Sequence, residues 1–333
     1  MKKTLIFIMA AVVAISMIFM GIACEAKVAE EKKPVFGNIP VAMADEWNGY
    51  GVQNFKYCAE KKGVEVVVLD SEWDGEKALQ NMEDLITRGV DEISVFVWTP
   101  EQAQDFIYKA NDAGIPISFE NTKIYDKVEG DIVFNVACEY YDIGYAAAKY
   151  ISEKWPGSRL FYVKGAEGMG IVEEYQRGID DALTDCGDVV EIVDIKTTGW
   201  DTETSMNVTQ DTIAAGTEFD VIFANSEEMA VGVIQALDQA GLKGQIPIVS
   251  TGGGPNGIKM IEDGEIVATM AAPVSVQGMW LFKAMWLHYN GKEIKDKWVP
   301  LPTIPIDKDT LADNVSWDPS DEIIDYIGGL DEW

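Results

Sequence analysis

Aromatic, amide and carboxyl side chains stand where predicted strands end. Trp47 and Asn48 follow the first strand, Trp98 ends the third, Glu120 and Asn121 end the fourth, and Asn225 and Ser226 end a strand in the second half of the chain. Tryptophan rings stack on the apolar C–H faces of sugar rings, and amides and carboxylates hold hydroxyl groups at defined angles. These residues predict noncovalent binding of a small molecule in an apolar cleft with a few polar groups.

Common catalytic motifs are missing from the sequence. It has no HExxH, GxSxG or Walker A pattern, and its single histidine, His288, stands in an aromatic segment typical of a packed helix. Residues 252–257 match GxGxxG, but the helix predicted after them has only about two turns, and no acidic residue ends a following strand at the usual distance. We interpret this run as a turn that lines the cleft rather than as a dinucleotide site.

Short apolar runs alternate with helical patterns from Pro34 onward. Strands are predicted at 35–43, 64–69, 93–98 and 115–119, and helices at 50–62, 76–87 and 100–113. Gly63, Gly89 and Gly114 follow these helices, which is typical of helix C-caps. Apolar strands that alternate with helices predict a parallel sheet covered on both faces, and right-handed crossovers make it a doubly wound α/β fold.

The pattern occurs twice in the chain. Shifting the sequence by 127 positions aligns Trp73-Asp74 with Trp200-Asp201, and Ala113-Gly114 with Ala240-Gly241. The same ungapped shift pairs Glu76 with Glu203, Gly89 with Gly216, Phe96 with Phe223, and Glu101 with Glu228. The chain is therefore interpreted as two copies of one α/β unit. Two such lobes predict a ligand cleft between them that closes by a hinge motion.

The N-terminus has the order of a secretory signal. Lys2 and Lys3 precede an uncharged apolar run that stops at Gly21-Ile22-Ala23-Cys24. A cysteine after small residues resembles a bacterial lipobox, so residues 1–23 are predicted to be a signal peptide, Cys24 the acylated residue, and 24–33 a tether. An ordinary cleaved signal and an uncleaved anchor helix are the alternatives. All three place the rest of the chain in the periplasm or on the outer face of the cell envelope.

Charge and cysteine content limit the partners. The 333-residue chain has a formal net charge of −30, which argues against nucleic acid and against direct binding to anionic lipid. Besides Cys24, the chain has Cys58, Cys138 and Cys186, with no CxxC spacing, so no metal cluster is expected. Free thiols are the first interpretation and one disulfide is the alternative. No cofactor is predicted.

Several segments together resemble periplasmic sugar-binding proteins of the ribose-binding type. In the first half they are Val66-Val-Val-Leu-Asp-Ser71, Leu85-Ile-Thr-Arg-Gly-Val-Asp91 and Ala113-Gly-Ile-Pro-Ile117. In the second half they are Phe223-Ala-Asn-Ser-Glu-Glu-Met-Ala230, Pro247–Gly257, Ile261-Glu-Asp-Gly264 and Ala268-Thr-Met-Ala271. The resemblance covers residues 34–305 and implies two doubly wound lobes joined by a three-strand hinge. It implies crossings near Ala137, Ala272 and Leu301, with lobe one at 34–137 plus 273–301 and lobe two at 138–272 plus 302–333.

The resemblance also implies binding residues. It places Trp47 and Trp200 at stacking positions, Glu173 where the family has an arginine, and Gly252 where it has an aspartate. With the residues at strand ends, the predicted set is Trp47, Asn48, Trp98, Glu120, Asn121, Glu173, Trp200, Asn225, Ser226 and Gly252. This site is less basic and more aromatic than a ribose site. The three tryptophans with Glu173 would also suit a cationic ligand.

The expected function is therefore the binding component of an ABC importer for a small sugar or polyol. It would be a monomer, partnered by permease subunits and held at the membrane by its lipid. The alternatives are a binding protein for a cationic or nucleoside-like solute, and a chemosensory receptor of the same fold. An enzyme that used Glu120 and Glu173 as an acid and base pair is the least favoured interpretation, because no catalytic motif accompanies them. A short helix within 318–333 is expected to pack on the second lobe.

Overall fold

The first part of the chain alternates strands and helices as predicted. A computed structural model describes residues 32–124, 127–168 and 170–333. It forms β1 (Val35–Ile39), α1 (Glu46–Lys62), β2 (Glu65–Val68), α2 (Gly75–Arg88), β3 (Glu92–Phe96), α3 (Pro100–Ala113), β4 (Ile117–Asn121) and β5 (Phe134–Cys138). Asp45, Asp74 and Thr99 cap the N-termini of the three helices, and left-handed Gly63, Gly89 and Gly114 end them. The predicted signal peptide 1–23, Cys24 and the tether up to residue 31 lie outside the described residues.

Helix α1 starts earlier than the apolar pattern indicates. It begins at Glu46, not at Tyr50, because the Asp45 carboxylate accepts a hydrogen bond from the backbone N–H of Asn48. Trp47 and Asn48 therefore lie on the first turn of α1. Strand β1 correspondingly ends at Ile39, next to Pro40, and not at the predicted Met43.

The rest of the chain repeats the alternation. It forms α4 (Tyr140–Lys154), β6 (Arg159–Lys164), α5 (Ile171–Asp185), β7 (Glu191–Thr197), α6 (Thr202–Ala214), β8 (Val221–Ala224), α7 (Glu227–Gln239), β9 (Ile248–Gly252), α8 (Pro255–Asp263) and β10 (Ala268–Ala271). The last elements are α9 (Val274–Tyr289), β11 (Trp298–Leu301), β12 (Ile304–Asp307), a 3-10 turn (Leu311–Asp313) and α10 (Asp321–Tyr326). Ser226 and Asp201 cap α7 and α6 through their side chains.

The strands form two sheets, each with six strands within the described residues. The first has the order β11-β5-β4-β3-β1-β2 and is parallel throughout. The second has the order β12-β10-β9-β8-β6-β7, in which only β12 is antiparallel to its neighbour. The chain passes between the sheets from β5 to α4, from β10 to α9 and from β11 to β12. The predicted fold of two doubly wound parallel-sheet lobes is confirmed.

Helices cover both faces of the first sheet. Phe36 packs against Phe55 of α1 and Phe282 of α9 on one face, and Met82 and Phe106 of α2 and α3 cover the other. These side chains are fully buried or nearly so, which fixes the strands in register and leaves their carboxyl ends free for a site. The described cysteines, Cys58, Cys138 and Cys186, are free thiols.

The C-terminal segment corrects one expectation. Helix α10 forms within the predicted stretch, but it packs on the first lobe: the Lys283 ammonium of α9 donates to the Ile327 carbonyl at 2.7 Å, and the Tyr57 hydroxyl of α1 donates to Asp321 at 2.9 Å. The Trp333 ring lies 5.1 Å from that of Trp280. An apolar helical face shows that a helix packs, but it does not say on which surface, so the sequence could not place it.

Candidate ligand-binding site

A cavity of about 130 Å³ lies at the carboxyl ends of strands from both sheets. Eight predicted site residues line it: Trp47, Asn48, Trp98, Asn121, Trp200, Asn225, Ser226 and Gly252. The other lining residues are Asp45, Glu46, Trp73, Phe96, Cys138, Tyr140, Ile143, Ile171, Tyr175, Glu227, Glu228, Thr251, Ala272 and Trp317. The two sheets therefore bring most of the predicted residues together, and whether each one binds ligand stays a prediction.

Glu120 lies outside this cavity, contrary to the expectation from its place at a strand end. Successive side chains of a strand point to opposite faces, so Asn121 reaches the cavity while Glu120 points toward α9. There its carboxylate accepts a hydrogen bond from Gln277 at 3.1 Å, and it is 5% exposed. Burial raises the pKa of Glu120 to about 7.

Glu173 also lies outside the cavity. It is exposed on α5, and its carboxylate accepts a hydrogen bond from the Gly168 backbone at 3.1 Å. Helix residues turn by about 100° each, so Ile171 and Tyr175 of the same helix face the cavity while Glu173 points to solvent. The resemblance placed Glu173 at the matching position along the chain, but it did not give the direction of the side chain.

The first lobe contributes an aromatic wall. The Trp73 and Trp98 rings are stacked, 6.5 Å apart and 10° from parallel. The Trp47 ring meets the Trp317 ring edge to face at 5.3 Å. Aromatic faces of this kind suit the C–H surface of a sugar ring and the charge of an organic cation equally well.

Trp317 joins the two lobes at the cavity. It comes from the segment between β12 and α10, and its backbone carbonyl accepts a hydrogen bond from Asn54 of α1 at 2.7 Å. Its ring packs against Gly254 of the second lobe so closely that a β-carbon there would lie 2.8 Å from it. Sequence reasoning missed Trp317, since nothing local links it to residues so distant along the chain.

Trp200 lines the cavity from the second lobe, as Tyr140 and Tyr175 do. Its backbone has a positive φ of 65°, directly before the Asp201 cap of α6. The ring lies against Gly165, where a β-carbon would stand 2.2 Å from ring atoms, so only glycine leaves room for it. The indole is thus held in place by the end of β6.

Four buried donors at the cavity make no hydrogen bond to a described residue. They are the indole N–H groups of Trp47, Trp98 and Trp317 and the side-chain amide N–H₂ of Asn225. The Asn225 carbonyl oxygen already accepts from the Tyr162 hydroxyl at 2.8 Å and from the Gly165 backbone at 3.1 Å, which fixes the orientation of the amide. Buried donors of this kind need acceptor oxygens, which hydroxyl groups supply.

Other polar residues of the predicted set already make hydrogen bonds within the protein. The Ser226 hydroxyl accepts from the Met229 backbone at 3.2 Å and so caps α7. Asn121 has a positive φ of 72°, and its side-chain oxygen accepts from the Tyr140 hydroxyl at 2.7 Å. Asn48 donates its amide to Asp45 at 2.7 Å. These contacts orient the side chains before any ligand binds.

The glycine run after β9 surrounds a buried carboxylate. Glu227 accepts hydrogen bonds from the backbones of Gly253 at 2.6 Å and Gly254 at 3.0 Å, and from Thr269 at 2.7 Å. A β-carbon at Gly257 would lie 1.9 Å from this carboxylate. The glycines therefore make room for Glu227, whose burial raises its pKa to about 7.

Acidic residues from both lobes meet at the cavity. The Glu46 backbone N–H donates to the Glu228 carboxylate at 3.2 Å, and Asn256 donates to the Glu46 carboxylate at 2.8 Å. Burial and, to a smaller extent, the nearby Asp45 charge together raise the pKa of Glu228 to about 7. Burial also raises the pKa of Asp45, against hydrogen bonds from Asn48 and Trp47 that lower it. No lysine, arginine or histidine is among the lining residues described.

The profile of the periplasmic binding protein domain matches residues 36–293. The chain belongs to the periplasmic binding protein family. Its curated relatives include the ribose import binding protein RbsB of Salmonella typhimurium, 29% identical over 214 residues that cover 64% of this chain and 70% of that protein. The D-xylose-binding periplasmic protein of Escherichia coli is 24% identical over 222 residues, which cover 66% of each chain.

Solved structures of other periplasmic binding proteins share the fold. A solute-binding protein of Actinobacillus succinogenes with bound D-allose has a TM-score of 0.77 at 22% identity, covering 84% of this chain and 100% of that one. The Caulobacter myo-inositol binding protein with bound myo-inositol has a TM-score of 0.76 at 22% identity, covering 84% and 95%. At these identities the likeness is one of fold.

Family membership places this periplasmic binding protein among extracytoplasmic, non-enzymatic transport components, as the sequence indicated. Within the described residues, no helix has the length and apolar character needed to cross a bilayer. The same residues contain no group of three histidine, cysteine or acidic side chains arranged to hold a metal ion.

Proposed function

We propose that the chain is the solute receptor of an ABC importer and binds a small sugar or polyol in the cavity between its lobes. The supporting observation is the combination of stacked tryptophan rings with buried N–H donors that lack a described acceptor. A polyhydroxylated ring satisfies both: its C–H face covers the indoles and its oxygens accept from the donors. Relatives and structural neighbours are named for binding ribose, D-xylose, D-allose and myo-inositol, which belong to the same chemical class.

The lobes would close on the ligand and present a joint surface to the permease. Ligand favours the closed arrangement by its higher affinity for it. The contacts of Glu46 with Glu228 and Asn256 join the lobes at the edge of the cavity, as closure requires. We further propose that the receptor is a monomer held at the membrane through a lipid on Cys24, with residues 1–23 removed as a signal peptide.

A thermal-shift screen of the full chain against neutral sugars, polyols and their amino derivatives tests this function. A ligand at about a hundred times its dissociation constant adds roughly 2.7 kcal/mol to the free energy of unfolding, which is a measurable shift. Trp73→Ala should weaken binding about tenfold or more without harming the fold, since Trp73 is 45% exposed. Trp155→Ala, outside the cavity, is the matched control. Absence of any hit across the panel contradicts the proposal.

A further inference from the structure

Two carboxylates face the cavity from opposite lobes. Asp45 precedes α1 in the first lobe and Glu228 lies on the first turn of α7 in the second, and both line the cavity. Each is only partly exposed, and their like charges are close enough to act on each other. The Glu227 carboxylate accepts two hydrogen bonds from the glycine loop and one from Thr269 of β10. Among the described residues, the Glu228 carboxylate accepts one, from the Glu46 backbone.

This pair has no cationic side chain beside it. The lining residues described include no lysine, arginine or histidine, and the ion pairs found among the described residues involve neither Asp45 nor Glu228. Two half-buried carboxylates without a countercharge are unfavourable, and a bound cation relieves that cost. An anionic ligand would add to the repulsion.

The walls next to the pair are aromatic. Trp47 lies two residues after Asp45 on the first turn of α1, and Trp73 and Trp98 form a stacked pair on the same lobe. Indole faces attract ammonium groups by cation–π interaction, and the attraction grows as water is excluded. The aromatic wall and the carboxylates therefore favour the same kind of charge.

An independent observation favours a ligand that also carries oxygen. Asn225 is 2% exposed, and its amide N–H₂ has no acceptor among the described residues although its carbonyl oxygen is fixed by Tyr162 and Gly165. The indole N–H of Trp317, a residue that is 4% exposed, also has no acceptor among the described residues. A bare alkylammonium would leave these donors unsatisfied, whereas hydroxyl oxygens would accept from them.

We propose that the ligand is a polyhydroxylated organic cation, an amino sugar or amino polyol, whose ammonium group lies between Asp45 and Glu228 and whose hydroxyl oxygens accept from Asn225 and Trp317. The inference rests on the proposed function, because it names the charge and class of the solute bound in the same cavity. It differs from a neutral-sugar site in one measurable property, the preference for an amine over a hydroxyl.

Calorimetric titration of the full chain with matched pairs tests the preference. The pairs are D-glucosamine with D-glucose, D-galactosamine with D-galactose, and aminated with plain inositol, at pH 7.5, above the pKa of about 7 of Glu228, with N-acetyl-D-glucosamine as an uncharged amide. We expect at least one amine to bind at least about tenfold tighter than its hydroxyl partner. If the neutral partners bind as tightly or more tightly, the inference fails and the proposed function stands. If neither series binds, both fail.

Two isosteric variants test the position of the amine. Glu228→Gln and Asp45→Asn each remove a charge, and asparagine still caps a helix, so folding is retained. Each should weaken amine binding about thirtyfold or more, as expected for a buried charge pair that loses one partner, and should reduce the preference for the amine over its neutral partner. Glu173→Gln, an exposed acid outside the cavity, is the matched control. An amine preference that survives both cavity variants would overturn the assignment.

Discussion

The two lobes repeat one backbone plan but carry different side chains at the cavity. Trp98, before the α3 cap Thr99, stands at the same place in the repeat as Asn225, before the α7 cap Ser226. The first lobe therefore offers an indole where the second offers an amide held by Tyr162 and Gly165. The two halves share helix caps and strand ends but differ in the chemistry of the wall that each presents.

The repeated tryptophans show the same contrast in packing. Trp73 and Trp200 both have a positive φ, of 62° and 65°, and both precede a capping aspartate. Trp73 is 45% exposed and touches its neighbour Trp98, whereas Trp200 lies against Gly165 and packs with the cores of the second lobe. Both rings line the cavity, but only the Trp200 ring is also packed against a core.

The largest expected effect on the free energy of unfolding comes from replacing one of these two tryptophans. Trp200→Ala should lower the free energy of unfolding by about 3 to 5 kcal/mol, because a packed indole leaves a cavity behind. Trp73→Ala should lower it by less than about 1 kcal/mol, since much of its ring is already in water. Urea denaturation of both variants checks the difference. Equal losses would show that the two lobes pack their repeated tryptophans alike.

A smaller effect on the free energy of unfolding is expected at the buried acids, Glu120 of the first lobe and Glu227 of the second. Glu120→Gln should raise the free energy of unfolding at pH 8 by about 1 to 3 kcal/mol, because it removes a buried charge. The amide would also find acceptors, since Asn38 and Gln277 beside it each have a carbonyl oxygen with no described donor. Glu227→Gln should destabilise the protein instead, because its amide N–H₂ would face a backbone N–H of the glycine loop.

The contribution of Glu120 to the free energy of unfolding should change with pH in a defined direction. Burial raises the pKa of Glu120 from 4.5 in the unfolded chain to about 7 in the fold. The native state therefore holds its proton longer, and the free energy of unfolding falls as pH rises from about 4.5 to about 7. The gain from Glu120→Gln should be near zero at pH 4 and reach its full size by pH 8. A gain that is the same at both pH values would contradict a buried, proton-binding Glu120.

The smallest expected effect tests a feature that the two lobes share, the hydroxyl caps of α3 and α7. Thr99→Ala and Ser226→Ala each remove a cap whose hydroxyl accepts a backbone N–H at 3.2 Å. Each should lower the free energy of unfolding by about 1 kcal/mol, and the two losses should agree within about 0.5 kcal/mol. Chemical denaturation of both variants provides the measurement. A much larger loss for Ser226→Ala would mean that its hydroxyl has a second structural role.

Sequence reasoning reached the fold because periodicity, glycine caps and the repeat all report local structure. It placed Trp98 and Asn225 at the cavity for the same reason, since strand ends are visible in sequence. It misplaced Glu120 and Glu173, because a position along a strand or helix does not give the direction of the side chain. Trp317 and the packing of α10 depend on contacts between residues far apart in the chain, and no local pattern encodes them.

A polyhydroxylated solute should bind between the tryptophan wall of the first lobe and the Asn225 amide of the second. Titration calorimetry of the strongest ligand from the screen, repeated with Trp98→Ala and Asn225→Ala, tests it most directly. We predict one bound molecule per chain and an affinity loss of at least about tenfold in each variant, with Trp155→Ala unchanged. Binding that persists at full strength in both variants would contradict the claim.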